Sequence, residues 1–206
     1  MKEAAGYQPS FELPNEIHTV AVIGAGVAGR SFALACAGAG FHVVLEDVMP
    51  AKLRKAEADF ADLRLRAAVG MLELVSTVED AVRAADIAVD FVPDELESKL
   101  EIFSMIDRMA PPKTILCTPS EVLSITDLAS CVYRPERCVA VRGGLVRGVI
   151  AAQMAMRLIY PAAVAAGTLS AAEGFLQALG IDVLAELDPD APMLVKNVGL
   201  GPSVAH

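Results

Sequence analysis

The chain has 206 residues and a formal net charge of −9, and 54% of its residues are hydrophobic while 21% are charged. This composition supports a packed core and excludes general disorder. The acidic balance argues against nucleic acid or an anionic membrane surface as a partner, because both carry negative charge.

The first part of the chain is predicted to be a flexible arm over residues 1–18, because two prolines interrupt it and no long apolar run indicates a signal peptide. A late apolar stretch is broken by Gln153, Arg157 and Pro161, which argues against a membrane span. We therefore expect a soluble, cytoplasmic protein.

From Thr19 onward, apolar runs and helical patterns alternate. The predicted strands read "TVAVIG", "HVVLED", "LELVST", "DIAVDFVP", "TILCTPS", "RCVAVRGG", "AMRLIYP" and "IDVLAEL". The predicted helices cover residues 27–39, 51–69, a short segment after Thr77, 95–109 and 170–179. Such alternation is typical of a parallel sheet with helices on both faces. No linker interrupts residues 19–206, so we predict one domain there.

The four cysteines form no CxxC pair, and the three histidines lie far apart in the sequence. This spacing argues against a zinc site and favours buried thiols in a reducing compartment.

The stretch "VAVIGAGVAGRSFALACAGAGFHVVLEDV" contains a GxGxxG motif between a predicted strand and a predicted helix. In a dinucleotide site the first glycine permits the tight turn, the second lets the backbone approach a pyrophosphate, and the third allows close packing of helix and strand. The residues predicted to hold the cofactor here are Gly24, Ala25, Gly26, Val27, Ala28 and Gly29.

Asp47, at the end of the next strand, supplies the acid that such a site requires. A carboxylate there accepts hydrogen bonds from ribose hydroxyls and repels a 2′-phosphate. No arginine follows until Arg54, so we predict NAD rather than NADP as the cofactor.

These residues resemble the NAD-binding domain of the 3-hydroxyacyl-CoA dehydrogenases. The opening stretch is similar to that family's first βαβ unit. The stretch "ADIAVDFVPDELESKLEIF" is similar to its fourth strand and the helix that follows. The stretch "GFLQALGIDVLAELDPDAPMLVKNVGLG" is similar to the end of the domain. The resemblance covers about residues 19–200. It implies an α/β fold of the Rossmann type, in which a doubly wound, mainly parallel sheet has about eight strands. By position it also implies that Asp94 and Lys99 contact NAD, although Lys99 is otherwise an ordinary exposed helix lysine.

The resemblance also marks departures from the family. It places Arg142 where the family has its catalytic histidine, and it places Arg157 close to the glutamate that orients that histidine. Arg142 either holds an anionic substrate group or oxyanion, or is an ion-pairing surface residue. Glu121 is a candidate base if it is buried, and otherwise a solvated turn charge. Asn197 matches the family's substrate-side asparagine.

Two functions remain open from the sequence. One is an NAD-dependent oxidoreductase acting on an unknown, non-standard substrate, either a small molecule or carrier-tethered. The other is a dinucleotide-binding protein without dehydrogenase activity. The resemblance implies a helical second domain after the NAD-binding domain, which the sequence to His206 does not include. We expect apolar residues of "APMLVKNVGLGPSVAH" to be covered in a homodimer or by another protein.

Overall fold

The computed structural model describes residues 17–145 and 156–189. Its strands are β1 (Thr19–Ile23), β2 (His42–Glu46), β3 (Met71–Val75), β4 (Ile87–Asp90), β5 (Ile115–Pro119), β6 (Cys138–Arg142), β7 (Met156–Tyr160) and β8 (Val183–Leu187). Its helices are α1 (Val27–Gly38), α2 (Pro50–Arg64), α3 (Val78–Val82), α4 (Leu96–Met109), α5 (Ile125–Ser130) and α6 (Ala166–Ala178).

The eight strands form one sheet in the order β3-β2-β1-β4-β5-β6-β7-β8. Neighbouring strands are parallel except for β6 and β7, which run antiparallel. The prediction of a doubly wound, mainly parallel sheet of about eight strands is confirmed. The strand order reverses between β1 and β4, and ligands of such sheets bind at the carboxyl ends of the strands at that point.

The core lies on both faces of the sheet, because successive residues of a strand point to opposite sides. In β1, Val20 and Val22 pack with α1, α2 and α6, whereas Ala21 and Ile23 pack with α3, α4 and α5. Phe32 of α1 is fully buried on the first of these faces. Burial on both faces explains why the central strands read as continuous apolar runs.

Several element boundaries differ from the prediction. Helix α2 ends at Arg64, five residues early, and Gly70 then donates a hydrogen bond from its backbone N–H to the Ala37 carbonyl. A Cβ at Gly70 would lie 2.1 Å from the Phe41 carbonyl oxygen, so the chain must leave the helix to make this close approach. Helix α5 was not among the predicted helices. It is capped by the Ser124 hydroxyl, which accepts a hydrogen bond from the Asp127 N–H.

Residues at the start of the described chain are tied to the sheet. Ile17 packs against the core, and the backbone N–H groups of His18 and Thr19 both donate to Asp86 Oδ2 at 2.9 Å. The rest of the predicted arm, residues 1–16, lies outside the described residues, as does the apolar segment near the end of the chain.

Three of the four cysteines, Cys36, Cys117 and Cys138, are buried free thiols, and Cys131 is half-buried. Burial raises the pKa of Cys117 to about 12. Within residues 17–145 and 156–189, no cluster of three potential metal-binding side chains occurs, and no helix has the length and apolar character needed to cross a membrane.

Candidate functional site

The turn between β1 and α1 has a backbone that only glycine accommodates easily. Gly24 has a φ of +100°, and its N–H donates to the Glu46 carbonyl at 2.9 Å. A Cβ at Gly29 would lie 1.9 Å from the Gly24 carbonyl oxygen. Both glycines are therefore needed to bring α1 close to the end of β1.

Gly26 differs from the other two glycines, because a Cβ placed there would meet no atom within 4 Å. It lies at the start of α1 with extended backbone, and no side chain caps the helix there. The first-turn N–H groups of a helix have no intrahelical partners and attract anions. Val27 and Ala28 begin this helix, with Val27 exposed. The open space beside Gly26 thus suits a pyrophosphate.

Asp47, directly after β2, holds this turn in place. Its Oδ2 accepts hydrogen bonds from the Ala25 N–H and from Lys52 Nζ, both at 2.9 Å, while Oδ1 accepts from the Met49 N–H at 2.8 Å. Burial raises the pKa of Asp47, but the hydrogen bonds from Lys52, Met49 and Ala25 outweigh it, so the pKa lies below its ordinary value. The carboxylate is therefore ionised at neutral pH.

Glu46 lies beside Asp47 and is 5% exposed. Burial raises its pKa, and the Asp47 charge raises it further. The two adjacent acids thus have pKa values displaced in opposite directions.

Gly24, Gly26, Asp47 and Lys52 line a groove of about 700 Å³ at the point where the strand order reverses. Asp94, after β4, also lines it. The groove has the size of a small-molecule or cofactor site.

Asp94 connects this groove to the segment after β5. Its Oδ2 accepts from the Glu121 N–H at 3.0 Å. Its Oδ1 is buried and has no hydrogen-bond partner in the described part of the chain. That oxygen therefore retains its capacity to accept a hydrogen bond from a bound ligand.

Lys99 is buried and does not line the groove. It is 1% exposed, and its Nζ donates to Asp90 Oδ1 at 2.6 Å and to the Pro119 carbonyl at 3.1 Å. Burial raises the pKa of the fully buried Asp90, and the Lys99 ammonium opposes that shift. The alternative of an exposed helix lysine is wrong, and direct contact with NAD stays a prediction. As placed, Lys99 joins the carboxyl ends of β4 and β5.

Glu121 and Arg142, two of the candidate catalytic residues, lie near each other but do not line the groove. The Glu121 side chain is exposed, and its Oε1 accepts from the N–H groups of Gly143 and Gly144 at 3.0 and 2.9 Å. The sequence made Glu121 a candidate base only if it were buried, and its side chain is exposed. Asn197, the third candidate, lies outside the described residues.

Arg142 is half-buried at the end of β6. Its Nη2 donates to the Leu123 carbonyl at 2.9 Å, and its Nε is buried without a partner among the described residues. Arg157 is its direct cross-strand neighbour in β7. Residues directly opposite in an antiparallel pair share a face of the sheet. Arg142, which the resemblance places at the histidine, is thus adjacent to Arg157, which it places close to the glutamate.

Lys52 is the site residue that sequence reasoning missed. Only arginines were considered as partners for a 2′-phosphate after Asp47, and Lys52 precedes Arg54 by two residues. A lysine in the first turn of the helix after the acidic strand end was the available signal.

Comparisons with known proteins agree with this geometry. Residues 19–142 match the family model described as 3-hydroxyacyl-CoA dehydrogenase, NAD binding domain. A probable 3-hydroxybutyryl-CoA dehydrogenase of Bacillus subtilis is 31% identical over 137 residues, which are 60% of this chain and 47% of that protein. A 3-hydroxyadipyl-CoA dehydrogenase of Escherichia coli is 32% identical over 133 residues, 59% of this chain and 28% of that protein.

Solved structures agree as well. A 3-hydroxyacyl-CoA dehydrogenase of Archaeoglobus fulgidus superposes with a TM-score of 0.70 at 28% identity, covering 84% of this chain and 57% of that one. The matched region spans less than half of each of the two curated relatives. The chain belongs to the 3-hydroxyacyl-CoA dehydrogenase family, and residues 19–142 carry its NAD binding domain.

Proposed function

We propose that this chain is the NAD(H)-binding part of an oxidoreductase whose substrate differs from the 3-hydroxyacyl-CoA esters of its relatives. The observation that carries the proposal is the groove lined by both the bare backbone at Gly26 and the ionised Asp47, which accepts a hydrogen bond from the Ala25 N–H beside Gly26. A pyrophosphate at Gly26 and an adenosine ribose at Asp47 would use both features. When bound, NAD would accept a hydride from the substrate.

The residues around the groove divide the binding task in this proposal. Gly24 and Gly29 shape the turn, and the free N–H groups at the start of α1 attract the pyrophosphate charge. Asp94, which also lines the groove, offers a buried carboxylate oxygen. Lys99 acts as a positioning residue, since it holds the ends of β4 and β5 together.

Replacing Gly26 with valine is expected to abolish NADH binding while leaving the fold intact. The new side chain has open space, so the fold is kept, with a loss of about 1 kcal/mol in the free energy of unfolding because valine is a poorer N-cap than glycine. The side chain occupies the place proposed for the pyrophosphate. Isothermal titration with NADH measures binding, and urea unfolding measures stability. Wild-type affinity in Gly26→Val, or no binding by the wild-type protein, would contradict the proposal.

The substrate is proposed to be non-standard because of Arg142. Oxidation of a hydroxyl by NAD requires a base that takes the proton as hydride leaves. Arginine is always charged at accessible pH and cannot take that proton. Arg142 is instead suited to holding an anionic substrate group or a developing oxyanion.

Oxidation of 3-hydroxybutyryl-CoA by this chain is expected to be negligible, below the range of about 1 to 1,000 s⁻¹ typical of enzymes. The reason is Arg142, which the resemblance places where the family has its catalytic base. Absorbance of NADH follows the reaction in both directions, with acetoacetyl-CoA as the substrate for reduction. Turnover within the typical range would refute the expectation and would require another base.

A second candidate is an NAD(H)-binding protein without dehydrogenase activity. The observation that favours it is the cross-strand pair of Arg142 and Arg157, which puts two cations where the resemblance implies an acid–base pair. Screening hydroxy acids and hydroxyacyl thioesters with NAD distinguishes the two candidates, since only the oxidoreductase forms NADH. A cytoplasmic location, a carrier-tethered substrate and a homodimer or complex stay predictions from sequence.

A further inference from the structure

The groove is strongly acidic on its described surface. Its ionisable lining side chains are Glu46, Asp47, Lys52, Asp94 and Glu101, so four carboxyl groups face one ammonium group. Dinucleotides are anionic, and carboxylates repel them. The single cation in this lining therefore has a large influence on which dinucleotide the groove accepts.

Lys52 lies where that influence is greatest. It belongs to the first turn of α2, and its Nζ is 2.9 Å from Asp47 Oδ2. Its side chain is 47% exposed while that of Asp47 is 5% exposed, so an exposed lysine side chain pairs with a buried carboxylate. An ammonium has three N–H donors, and Asp47 is its one hydrogen-bond acceptor among the described residues.

Asp47 has little capacity left for a ribose while Lys52 remains in place. A carboxylate offers about four acceptor positions, and three are taken by Ala25, Met49 and Lys52. A ribose with both hydroxyls on Asp47 must displace the ammonium. A 2′-phosphate, in contrast, gains a partner from an ammonium that leaves Asp47.

We propose that Lys52 sets the cofactor specificity of this site by moderating the rejection of NADP(H) by Asp47. The inference rests on the proposed binding of NAD(H) in this groove. Lys52 partly neutralises Asp47 and offers its ammonium to a 2′-phosphate, so the site prefers NAD(H) but binds NADP(H) with a moderate loss of affinity. Without Lys52, Asp47 and Glu46 face the phosphate alone.

The test compares dissociation constants for NADH and NADPH in the full chain, measured by the fluorescence of the bound nicotinamide. In Lys52→Met, the ratio of the NADPH constant to the NADH constant is expected to rise about tenfold. The NADH constant is expected to change by less than about threefold, because loss of the competing ammonium compensates for loss of a nearby positive charge.

Lys55→Met is the matched control, since Lys55 is an exposed lysine on the same helix that does not line the groove. It removes the same charge and is expected to leave the ratio unchanged. Raising the ionic strength should weaken NADPH binding more in the wild type than in Lys52→Met, because salt screens the ammonium–phosphate pair. Thermal unfolding of each variant confirms that it is folded.

The outcomes separate the two proposals. A ratio that shifts equally in both lysine variants, or a parallel loss of both cofactors in Lys52→Met, overturns the role of Lys52 and leaves NAD binding standing. Absence of binding of either cofactor to the wild-type protein overturns the proposed function itself.

Discussion

Replacing Lys99 with methionine is expected to lower the free energy of unfolding by about 3–5 kcal/mol. The variant keeps the length of the side chain but leaves Asp90 buried, with Oδ1 deprived of the ammonium at 2.6 Å. Asp90 Oδ2 already lacks a hydrogen-bond partner among the described residues. An uncompensated buried carboxylate is costly because water cannot replace the lost partner.

The magnitude matters because a domain is stable by only about 5–15 kcal/mol. Urea unfolding followed by far-ultraviolet circular dichroism measures the loss. The double variant Lys99→Met with Asp90→Leu is expected to recover most of it, since removing both partners leaves no buried charge. Recovery would show that the cost comes from the orphaned carboxylate and not from repacking.

Arg108→Met provides the control for this experiment. Arg108 is an exposed cation on the same helix, and its Nε donates to the Ser104 carbonyl at 3.1 Å. Its replacement is expected to change stability by no more than about 0.5 kcal/mol. A loss in Lys99→Met as small as that of Arg108→Met would show that the buried pair contributes little.

Replacing Gly29 with alanine is expected to cost about 3 kcal/mol or more and to eliminate NADH binding. The added Cβ would lie 1.9 Å from the Gly24 carbonyl oxygen and 3.2 Å from the Phe91 Cβ. The carbonyl belongs to backbone that Gly24 holds at positive φ, so the turn must open to relieve the contact. Both thermal unfolding and NADH titration report the effect.

Gly38→Ala is the matched control in the same helix. Its Cβ would have Leu63 Cδ2 at 3.9 Å as its nearest contact, which is ordinary packing. Alanine has the higher helix propensity, so this variant is expected to be neutral or more stable by up to about 1 kcal/mol. Equal stability of the two alanine variants would contradict the role assigned to Gly29.

Much of the fold could be predicted because its signals are local. Apolar runs bounded by glycine and proline located all eight strands to within a few residues, and the GxGxxG spacing located the turn at Gly24. The antiparallel direction of β7 could not be derived in this way. A buried run such as that around Leu158 reads the same in either direction, and its pairing depends on a contact with β6 elsewhere in the chain.

The candidate site was predictable where a residue's role depends on backbone shape or on its own position in a motif. Gly29 and Asp47 are of this kind, and the structure places both at the turn. Lys52 also had such a signal, since it lies in the first turn of the helix that follows Asp47. The role of Lys99 was not predictable, because a lysine in a helix reads as exposed by default and the partners that surround Lys99 become its neighbours only in the folded chain.

The order of the strands has a consequence for synthesis on the ribosome. After β1, β2 and β3 have paired, each later strand from β4 to β8 adds to the same growing edge. Among the described strands, none must be inserted between two that are already joined, so no ladder of hydrogen bonds between them has to break as the chain emerges. During elongation, however, the growing edge is unpaired and advances from β1 to β7 before β8 pairs, while β3 stays at the opposite edge. Vectorial assembly thus avoids topological rearrangement while requiring that this moving edge be kept from pairing with other nascent chains.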